Sequence, residues 1–351
     1  MSELLRVERL HVRFPVYGGV LQRIVAWLPA VTDVSFHIER GETLGLVGES
    51  GSGKTTIGRA LVGLLRFTAP EVALEGHAWF TPSERARPIE LLSVFDGRSR
   101  RKLHELADGL SPRELRTRLR RHIQMVFQDP LASLNPRLSV EQILAEPLQV
   151  HFPELTKSEL RDRIAWLLEK VGLQPEDRFR YPHEFSGGQR QRIGLARALA
   201  THPDLVICDE PVSALDVSVQ AQVLNLMEEL QEEFGMAYLF IAHDLSVVHH
   251  ISRRIAVLYL GHLVEVGSAD EVYFSPLHPY TRALISAVPI ASPRHKRERI
   301  VLRGEIPSLL NKPSGCPFHP RCPIARAECA QFIPPLEEKT PGHWVACPYV
   351  D

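Results

Sequence analysis

Three short runs in the second half of the chain are apolar almost without alternation. They are LVICDE at 205–210, YLFIAHD at 238–244 and IAVLYLG at 255–261. Strands that are buried on both faces of a parallel sheet show this pattern. Helical periodicity lies between them, as in VSVQAQVLNLMEELQEEFG. This alternation of strands and helices predicts an α/β fold.

The remaining segments differ in residue pattern and composition. Residues 4–80 are strand-rich and interrupted by turn residues, whereas residues 139–180 look helical and amphipathic, most clearly in SELRDRIAWLLEKVGL. After about residue 265, Pro, His and Cys become frequent. The change predicts one domain at 1–265 and a small appended unit at 266–351.

Composition and charge add only a few constraints. Apolar residues make up 44% of the 351 residues, charged residues 24%, and the net charge is −1. This balance gives no reason to expect nucleic acid as a partner. The chain has no apolar run of the roughly 20 residues needed to cross a bilayer, and MSELLRVERLHVRF lacks the apolar stretch of a signal peptide. We therefore expect a cytosolic chain whose role at a membrane, if any, depends on partners.

The segment GESGSGKTT at 48–56 fits the phosphate-loop pattern, and the apolar run TLGLV precedes it. Glycines let backbone N–H groups converge on phosphates, and the helix that follows directs its positive end toward them. Lys54 would neutralise β- and γ-phosphate charge, and the Thr55 hydroxyl would bind Mg²⁺. The pattern predicts ATP contacts from Gly48, Ser50, Gly51, Ser52, Gly53, Lys54, Thr55 and Thr56.

An acidic pair follows the first apolar run. Asp209 ends that predicted strand and is placed to hold Mg²⁺, directly or through water, and Glu210 is placed to polarise the attacking water. Such a pair also occurs as a simple strand cap. Downstream of a phosphate loop, however, the pair predicts hydrolysis.

Further motifs distinguish among phosphate-loop proteins. FSGGQ at 185–189 resembles the signature motif of ABC ATPases, with Phe185 where Leu is usual. In the same family order, Gln128 in MVFQDP matches the loop glutamine, SALD at 213–216 matches the loop where subunits meet, and His243 matches the switch histidine. The resemblance covers about residues 4–265.

The resemblance implies a fold and a set of roles. It implies an ABC-type P-loop ATPase with a RecA-like core, an antiparallel β-subdomain and a helical subdomain at about 136–185. Gln128 would sense Mg²⁺ and water, and His243 would contact the γ-phosphate. The helix that begins near the signature motif would bind the γ-phosphate of a second subunit. Hydrolysis would therefore need a dimer, with further nucleotide contacts from Ser186, Gly187, Gly188, Gln189 and Asp216.

Recognition of adenine is the least specific assignment. The family stacks an aromatic residue of the N-terminal sheet on the base, and Phe14 in VRFPVYGG is the residue that we favour. Tyr17 is the alternative, and either residue is also compatible with an ordinary place in a sheet.

The C-terminal region narrows the class of transporter. SPLHPYTRALISAVP, GEIPSL and SGCPFHPRCPIARAEC resemble the corresponding region of oligopeptide and dipeptide importer ATPases. The resemblance implies a peripheral protein at the cytoplasmic face of the membrane. Its partners would be two transmembrane permease subunits, an extracytoplasmic solute-binding protein and a second ATPase subunit, with which it would form a heterodimer. A nickel or other small-solute importer, and a soluble non-transport ABC ATPase, remain alternatives.

The segment from Arg85 to Arg121 is basic and longer than the family usually has between the β-subdomain and the glutamine loop. We interpret it as a surface excursion. A regulatory or membrane-surface contact is the alternative interpretation.

Four of the five cysteines crowd the last 36 residues, and their spacing is Cys-x5-Cys-x6-Cys-x17-Cys. Cytosolic disulfides are rare, and the tight pairs of zinc sites are absent. Iron–sulfur clusters accept looser spacing, and the importer family that the chain resembles includes members with a [4Fe–4S] cluster. We therefore predict such a cluster, with zinc and free or paired thiols as alternatives, on Cys316, Cys322, Cys329 and Cys347.

Overall fold

The computed structural model describes residues 2–19, 22–69, 71–85, 87–96, 111–288, 299–302 and 304–350. The strands in these ranges are β1 Glu3–Gly18, β2 Arg23–Glu39, β3 Thr43–Val47, β4 Ala73–Phe80, β5 Ile89–Glu90, β6 Ile123–Val126, β7 Leu205–Asp209, β8 Ala237–Ala242, β9 Arg254–Tyr259, β10 His262–Ser268, β11 Glu337–Thr340 and β12 His343–Val345.

The α-helices of the same ranges follow, and several of them are short. They are α1 Lys54–Leu61, α2 Leu65–Thr68, α3 Leu91–Asp96, α4 Pro112–His122, α5 Pro130–Ser133, α6 Val140–His151, α7 Lys157–Lys170, α8 Gly187–Leu199, α9 Val217–Phe234, α10 Leu245–Ile251, α11 Ala269–Phe274 and α12 Pro279–Ala287. Short 3-10 helices occur at Pro175–Phe179, Pro182–Glu184, Leu309–Asn311, His319–Arg321 and Ala327–Ala330.

The larger sheet carries the phosphate loop and has the strand order β11-β12-β10-β9-β3-β8-β7-β6. β3 pairs in parallel with β8 and β9, and β7 pairs in parallel with β6 and β8. Every residue of β3, β7 and β8 is buried, as helices on both faces require. The three apolar runs are β7, β8 and β9, so the predicted parallel strands are confirmed.

The N-terminal segment forms an antiparallel sheet with the order β2-β1-β4-β5. Val7, Leu10 and Val12 of β1 are buried in one apolar cluster with Leu44 of β3 and Ile57 of α1. The packing places this sheet against the phosphate loop and the helix that follows it.

The helical region contains α6, α7 and the beginning of α8. Each of these helices begins with a capping box, in which a Ser or Thr hydroxyl and a Gln or Glu side chain satisfy backbone N–H groups reciprocally. Ile143, Leu167 and Ile193 pack in the same apolar cluster as Val47 of β3. The helices are therefore fixed to the sheet near the nucleotide loops.

The C-terminal extension continues the larger sheet. β12 pairs with β10, where Glu265 lies opposite Val345, and β11 pairs with β12. The fully buried Glu265 accepts backbone N–H bonds from Leu277 and His278, and its Oε1 lies 2.8 Å from Nε2 of His343. The boundary predicted at residue 265 lies inside β10, and the extension shares the core of the preceding domain.

The interpretation of the basic segment as a surface excursion is wrong for its two ends. β5 pairs with β4, Leu91 and Val94 of α3 are fully buried, and Leu115 of α4 is also buried. Both ends pack in the same apolar cluster as Val7 and Leu10 of β1, because burial removes their apolar side chains from water. Residues 97–110 of the segment lie outside the described residues.

Candidate functional site

The loop between β3 and α1 folds as the phosphate-loop pattern predicts. Gly48 and Gly53 have φ values of 158° and 107°, which only glycine adopts readily. A Cβ on Gly48 would collide with the carbonyl oxygen of Leu258, and one on Gly53 would collide with that of Ala30. Backbone conformation and close packing therefore both require glycine at these positions.

Lys54 lies buried inside this loop. Its Nζ donates to the carbonyl oxygens of Gly48 at 2.7 Å and Glu49 at 3.0 Å, and lies 3.4 Å from Oγ of Ser52. Burial lowers the pKa of Lys54, while the nearby carboxylates of Glu210 and Asp209 oppose this shift. The ammonium group is thus held inside the curl of the loop.

Two of the three magnesium residues predicted from sequence, Thr55 and Asp209, meet at the end of β7, whereas the side-chain amide of Gln128 bonds to Glu210. Oγ1 of Thr55 donates to Oδ1 of Asp209 at 2.7 Å across 154 residues of chain. Burial raises the pKa of Asp209, and the hydrogen bond from Thr55 and the charge of Arg59 lower it. A hydroxyl and a carboxylate beside a phosphate loop are hard oxygen ligands of the kind that Mg²⁺ takes.

Glu210 is the meeting point of the predicted catalytic residues. Its Oε2 accepts a hydrogen bond from Nε2 of Gln128 at 3.0 Å and lies 3.2 Å from Nδ1 of His243. Glu210 has a φ of 48°, and its N–H bonds to the carbonyl oxygen of Ile241 on β8. The unusual backbone directs the carboxylate toward the two loops that carry Gln128 and His243.

The signature residues begin α8. Oγ of Ser186 accepts the N–H of Gln189 at 3.3 Å, and Ser186 and Gly187 are exposed. A Cβ on Gly188 would overlap Cγ1 of Val219 on α9, so this glycine permits close packing of two helices. Phe185 is buried, so the departure from Leu keeps an apolar anchor before the helix.

The SALD loop leads into α9. Asp216 is exposed at the N-cap of that helix, and the next residue, Val217, is 81% exposed. The structure thus presents an unburied apolar side chain beside the residue that was expected at a subunit contact.

The two candidates for adenine stacking differ in environment. Phe14 is half-buried and packs against the core of the N-terminal sheet. Tyr17 is 49% exposed, and its hydroxyl donates to Oε2 of Glu71 at 3.0 Å. Among the described residues, no hydrogen bond joins Phe14 or Tyr17 to the phosphate loop. The assignment of Phe14 stays a prediction.

The four C-terminal cysteines line one cavity, together with apolar and aromatic side chains such as Phe318, Phe332 and Tyr349. Among these sulfurs, Sγ of Cys329 accepts the backbone N–H of Arg326 at 3.4 Å. Burial raises the pKa of Cys322 to about 11 and also raises those of Cys316 and Cys347. In the described ranges, no three His, Cys, Asp or Glu side chains are close enough to hold a metal ion. The predicted iron–sulfur site is therefore not confirmed.

Two side chains that no sequence motif predicts touch the phosphate loop. Tyr280 bonds the backbone of Glu49, and Arg321 bonds the Glu49 carboxylate, from 231 and 272 residues away along the chain. Both residues lie in segments that carried the family resemblance, but no local pattern connects them with the loop.

Comparison with known proteins decides the family. Residues 31–213 match the family model described as ABC transporter. The chain belongs to this family. Residues 264–329 also match the model described as the C-terminal region of oligopeptide/dipeptide transporters.

Two curated relatives of this ABC ATPase align along nearly its whole length. The oligopeptide transport ATP-binding protein AppF of Bacillus subtilis is 49% identical, over 98% of this chain and 96% of that protein. The oligopeptide transport ATP-binding protein OppF of Escherichia coli is 50% identical, over 99% and 96% respectively.

Solved structures agree on the fold. CbiO1 from Clostridium perfringens, part of the ABC transporter complex cbiONQ, has a TM-score of 0.58 at 25% identity and covers 78% of this chain and 92% of its own. The ATP-binding cassette MJ0796, in a post-hydrolysis state with ADP and Pi, has the same score and identity and covers 76% and 99%. The predictions of an ABC-type ATPase fold, ATP binding and ATPase activity are confirmed.

Across the residues that the structure describes, no helix has both the length and the apolar character that a bilayer crossing requires.

Proposed function

We propose that this ABC ATPase is the energy-coupling subunit of an oligopeptide importer at the cytoplasmic face of the membrane. One observation carries the proposal: residues 264–329 match the C-terminal region of oligopeptide/dipeptide transporters. Relatives named for oligopeptide transport, at about half identity over nearly the full chain, support the same solute class. The partners are permease subunits and a solute-binding protein.

In the proposed mechanism, the phosphate loop binds ATP through backbone N–H groups from Gly48 to Thr56, with Lys54 against the β- and γ-phosphates. Thr55 and Asp209 would hold Mg²⁺, and Gln128 would join them through its amide oxygen. The ion supplies positive charge at the phosphates. The hydrogen bond between Thr55 and Asp209 supports this assignment, because it shows that both oxygens face the same point.

Hydrolysis depends on Glu210 in this mechanism. Its carboxylate accepts a proton from the attacking water, and contacts from Gln128 and His243 to Oε2 hold the carboxylate in one orientation. Phe14 stacks on adenine from the N-terminal sheet. Phe14 is half-buried, so part of its side chain stays accessible to a base.

A second ATPase subunit completes the site, and we propose a heterodimer. Ser186, Gly187, Gly188 and Gln189 begin α8, whose N-terminus suits an anion, and Asp216 lies on the adjoining surface. The exposure of Ser186, Val217 and His243 supports a face that closes onto a partner. ATP favours the closed dimer because it binds both faces at once.

The permease is proposed to dock in a groove between α6 and β6. Leu64, Met125, Phe127, Pro147 and Val150 contribute its apolar lining. Phe127 directly precedes Gln128, so an occupant of the groove would act on the loop that contacts Glu210. Val150 is 58% exposed and offers a test site, since Val150→Lys should impair transport while ATP binding persists.

For the cysteine cavity we propose a [4Fe–4S] cluster held by Cys316, Cys322, Cys329 and Cys347. Four thiols line one apolar cavity, and the backbone N–H of Arg326 donates to Sγ of Cys329, a contact that suits a thiolate. The loose spacing of the four cysteines disfavours a single zinc ion, whose cysteine ligands usually come in tight pairs. Such a cluster would stabilise the extension, and no step of hydrolysis passes through it.

The cluster is tested by anaerobic purification with iron, acid-labile sulfide and visible absorption measured together. Cys322→Ser should lower the iron content and the absorption, whereas the matched variant Cys208→Ala, in buried β7, should not. A colourless protein with stoichiometric zinc, or with no metal, would overturn the proposal.

The solute is tested by purifying the chain with its membrane partners and identifying what the assembled transporter carries. Peptides in the bound fraction, and ATPase stimulation by peptide-loaded binding protein in proteoliposomes, are expected. Nickel or another small solute in that fraction would contradict the peptide assignment. Purification without any membrane partner would instead favour a soluble ABC ATPase.

A further inference from the structure

Glu49, the second residue of the phosphate loop, is held by the C-terminal extension. Nη1 of Arg321 lies 2.8 Å from Oε2 of Glu49, and Nη2 lies 3.2 Å from Oε1. The side chain of Arg321 is 8% exposed. A two-pronged guanidinium–carboxylate pair fixes direction as well as distance, because both bonds must form together.

The backbone of Glu49 is held as well. Its N–H donates to the hydroxyl oxygen of Tyr280 at 2.8 Å, and its carbonyl oxygen accepts the hydrogen bond from Nζ of Lys54. Tyr280 is fully buried on α12. Carboxylate, amide and carbonyl of one loop residue thus each have a separate partner, and Lys54 is one of them.

An aromatic cluster packs against Tyr280 and Arg321, the two side chains that hold Glu49. The ring of Tyr280 lies 4.7 Å from Tyr259 and 5.4 Å from Phe318, centre to centre. Nη1 of Arg321 is also 3.4 Å from the hydroxyl of Tyr259. Packed aromatic rings have few alternative positions, so the cluster places Tyr280 and Arg321 as a unit.

We propose that Arg321 and Tyr280 are positioning residues for ATP binding, which act by holding Glu49 and with it the curl of the phosphate loop. Through Glu49 they also fix one of the carbonyl groups that orient Lys54. The proposal rests on ATP binding at this loop. It does not depend on the transported solute.

A purely structural tether is the competing explanation, and it predicts different measurements. A tether would contribute to the stability of the extension and leave nucleotide affinity unchanged. A positioning role requires that loss of Arg321 raise the ATP dissociation constant and KM more than it changes kcat, because loop geometry acts on phosphate binding first.

The test compares Arg321→Gln, Glu49→Gln and the double variant in the full-length chain. ATP affinity is measured by calorimetry, and KM and kcat are measured in the assembled transporter. Arg321→Gln should raise the dissociation constant about fivefold or more, with Arg321→Lys intermediate because it keeps the charge and loses the fork. In the Glu49→Gln background the same change should have an effect within about twofold.

The matched control is Arg326→Gln. Arg326 also lies in the extension and stacks on an aromatic ring, that of Tyr349 at 4.0 Å, but it does not touch the loop. Its ATP affinity should equal that of the unmodified chain. If Arg321→Gln lowers the melting temperature but leaves the ATP affinity unchanged, the contact is a purely structural tether and the proposal is wrong.

Tyr280→Phe keeps the proposal testable if Arg321→Gln fails to fold. The phenyl ring retains the packing on Tyr259 and Phe318 and removes only the acceptor for the N–H of Glu49. We expect weaker ATP binding at nearly unchanged kcat. Normal affinity in Tyr280→Phe would overturn the role assigned to Tyr280.

Discussion

Gln128 donates a hydrogen bond to Glu210 across 82 residues, from Nε2 to Oε2 at 3.0 Å. The two residues end parallel neighbouring strands, since Gln128 follows β6 and Glu210 follows β7. Parallel neighbours bring their carboxyl ends to the same edge of a sheet, where ligands of α/β folds bind. The contact therefore joins a loop near the helical region with the candidate catalytic carboxylate.

Glu210→Gln should bind ATP with unchanged affinity and hydrolyse it about 10²- to 10⁴-fold more slowly, the usual contribution of a general base. The amide keeps the contacts of Oε2 but accepts no proton. Phosphate release and equilibrium ATP binding are measured on the same preparation. Turnover close to that of the unmodified chain would remove Glu210 from its role.

Lys54→Ala should weaken ATP binding about 10- to 100-fold, the equivalent of about 1.5–3 kcal/mol for hydrogen bonds to a charged group. The ammonium is buried among loop carbonyl groups and has no replacement there. Calorimetric titration with ATP measures the effect, and circular dichroism checks the fold. Unaltered affinity in a folded variant would contradict the assignment.

Ser186→Arg should abolish hydrolysis at the phosphate loop of the partner subunit, because a bulky cation replaces a small side chain at the N-terminus of α8. The variant's own phosphate loop should still bind ATP, which isolated-subunit titration measures. Loss of ATP binding in the isolated variant would show that Ser186 acts within its own chain.

Gly188→Ala and Gly194→Ala form a matched pair on α8. A Cβ at Gly188 meets Val219, so we expect a loss of about 1–3 kcal/mol in stability and reduced ATPase activity. A Cβ at Gly194 meets nothing within 4 Å, and alanine there should stabilise the helix by about 1 kcal/mol. Chemical denaturation of both variants measures the difference, and equal effects would contradict the packing argument.

Acid should destabilise the fold partly through His262. Burial, with a smaller effect of Lys312, lowers the pKa of His262 from 6.5 to about 4. Between these two values the unfolded chain binds a proton that the folded chain does not, so stability is lost as pH falls through this window. His262→Gln should therefore show a flatter dependence of the melting temperature on pH from 6.5 to 4.

The control for this prediction is His250→Gln, at an exposed position on α10. Its pH dependence should follow that of the unmodified chain. A curve for His262→Gln that parallels the unmodified chain would assign the acid sensitivity to other groups.

The sequence by itself determined the parts of the site whose chemistry is contiguous. The glycines and Lys54 of the phosphate loop, the pair after LVICD and the start of α8 each need only a few neighbouring residues to adopt their geometry. The unbroken apolar runs likewise indicate buried parallel strands, because burial on both faces leaves no polar alternation. Short stretches of consecutive residues therefore suffice to predict local conformation and local burial.

Only the tertiary structure decided which of these parts meet. The order of strands brings Thr55 to Asp209 and both Gln128 and His243 to Glu210, and no local pattern encodes that order. The same holds for β12, which adds the extension to the catalytic sheet, and for the buried ends of the basic segment. The contact of Arg321 with Glu49 is also decided by the tertiary structure, because strand pairing and core packing over long sequence separations place one side chain against the other.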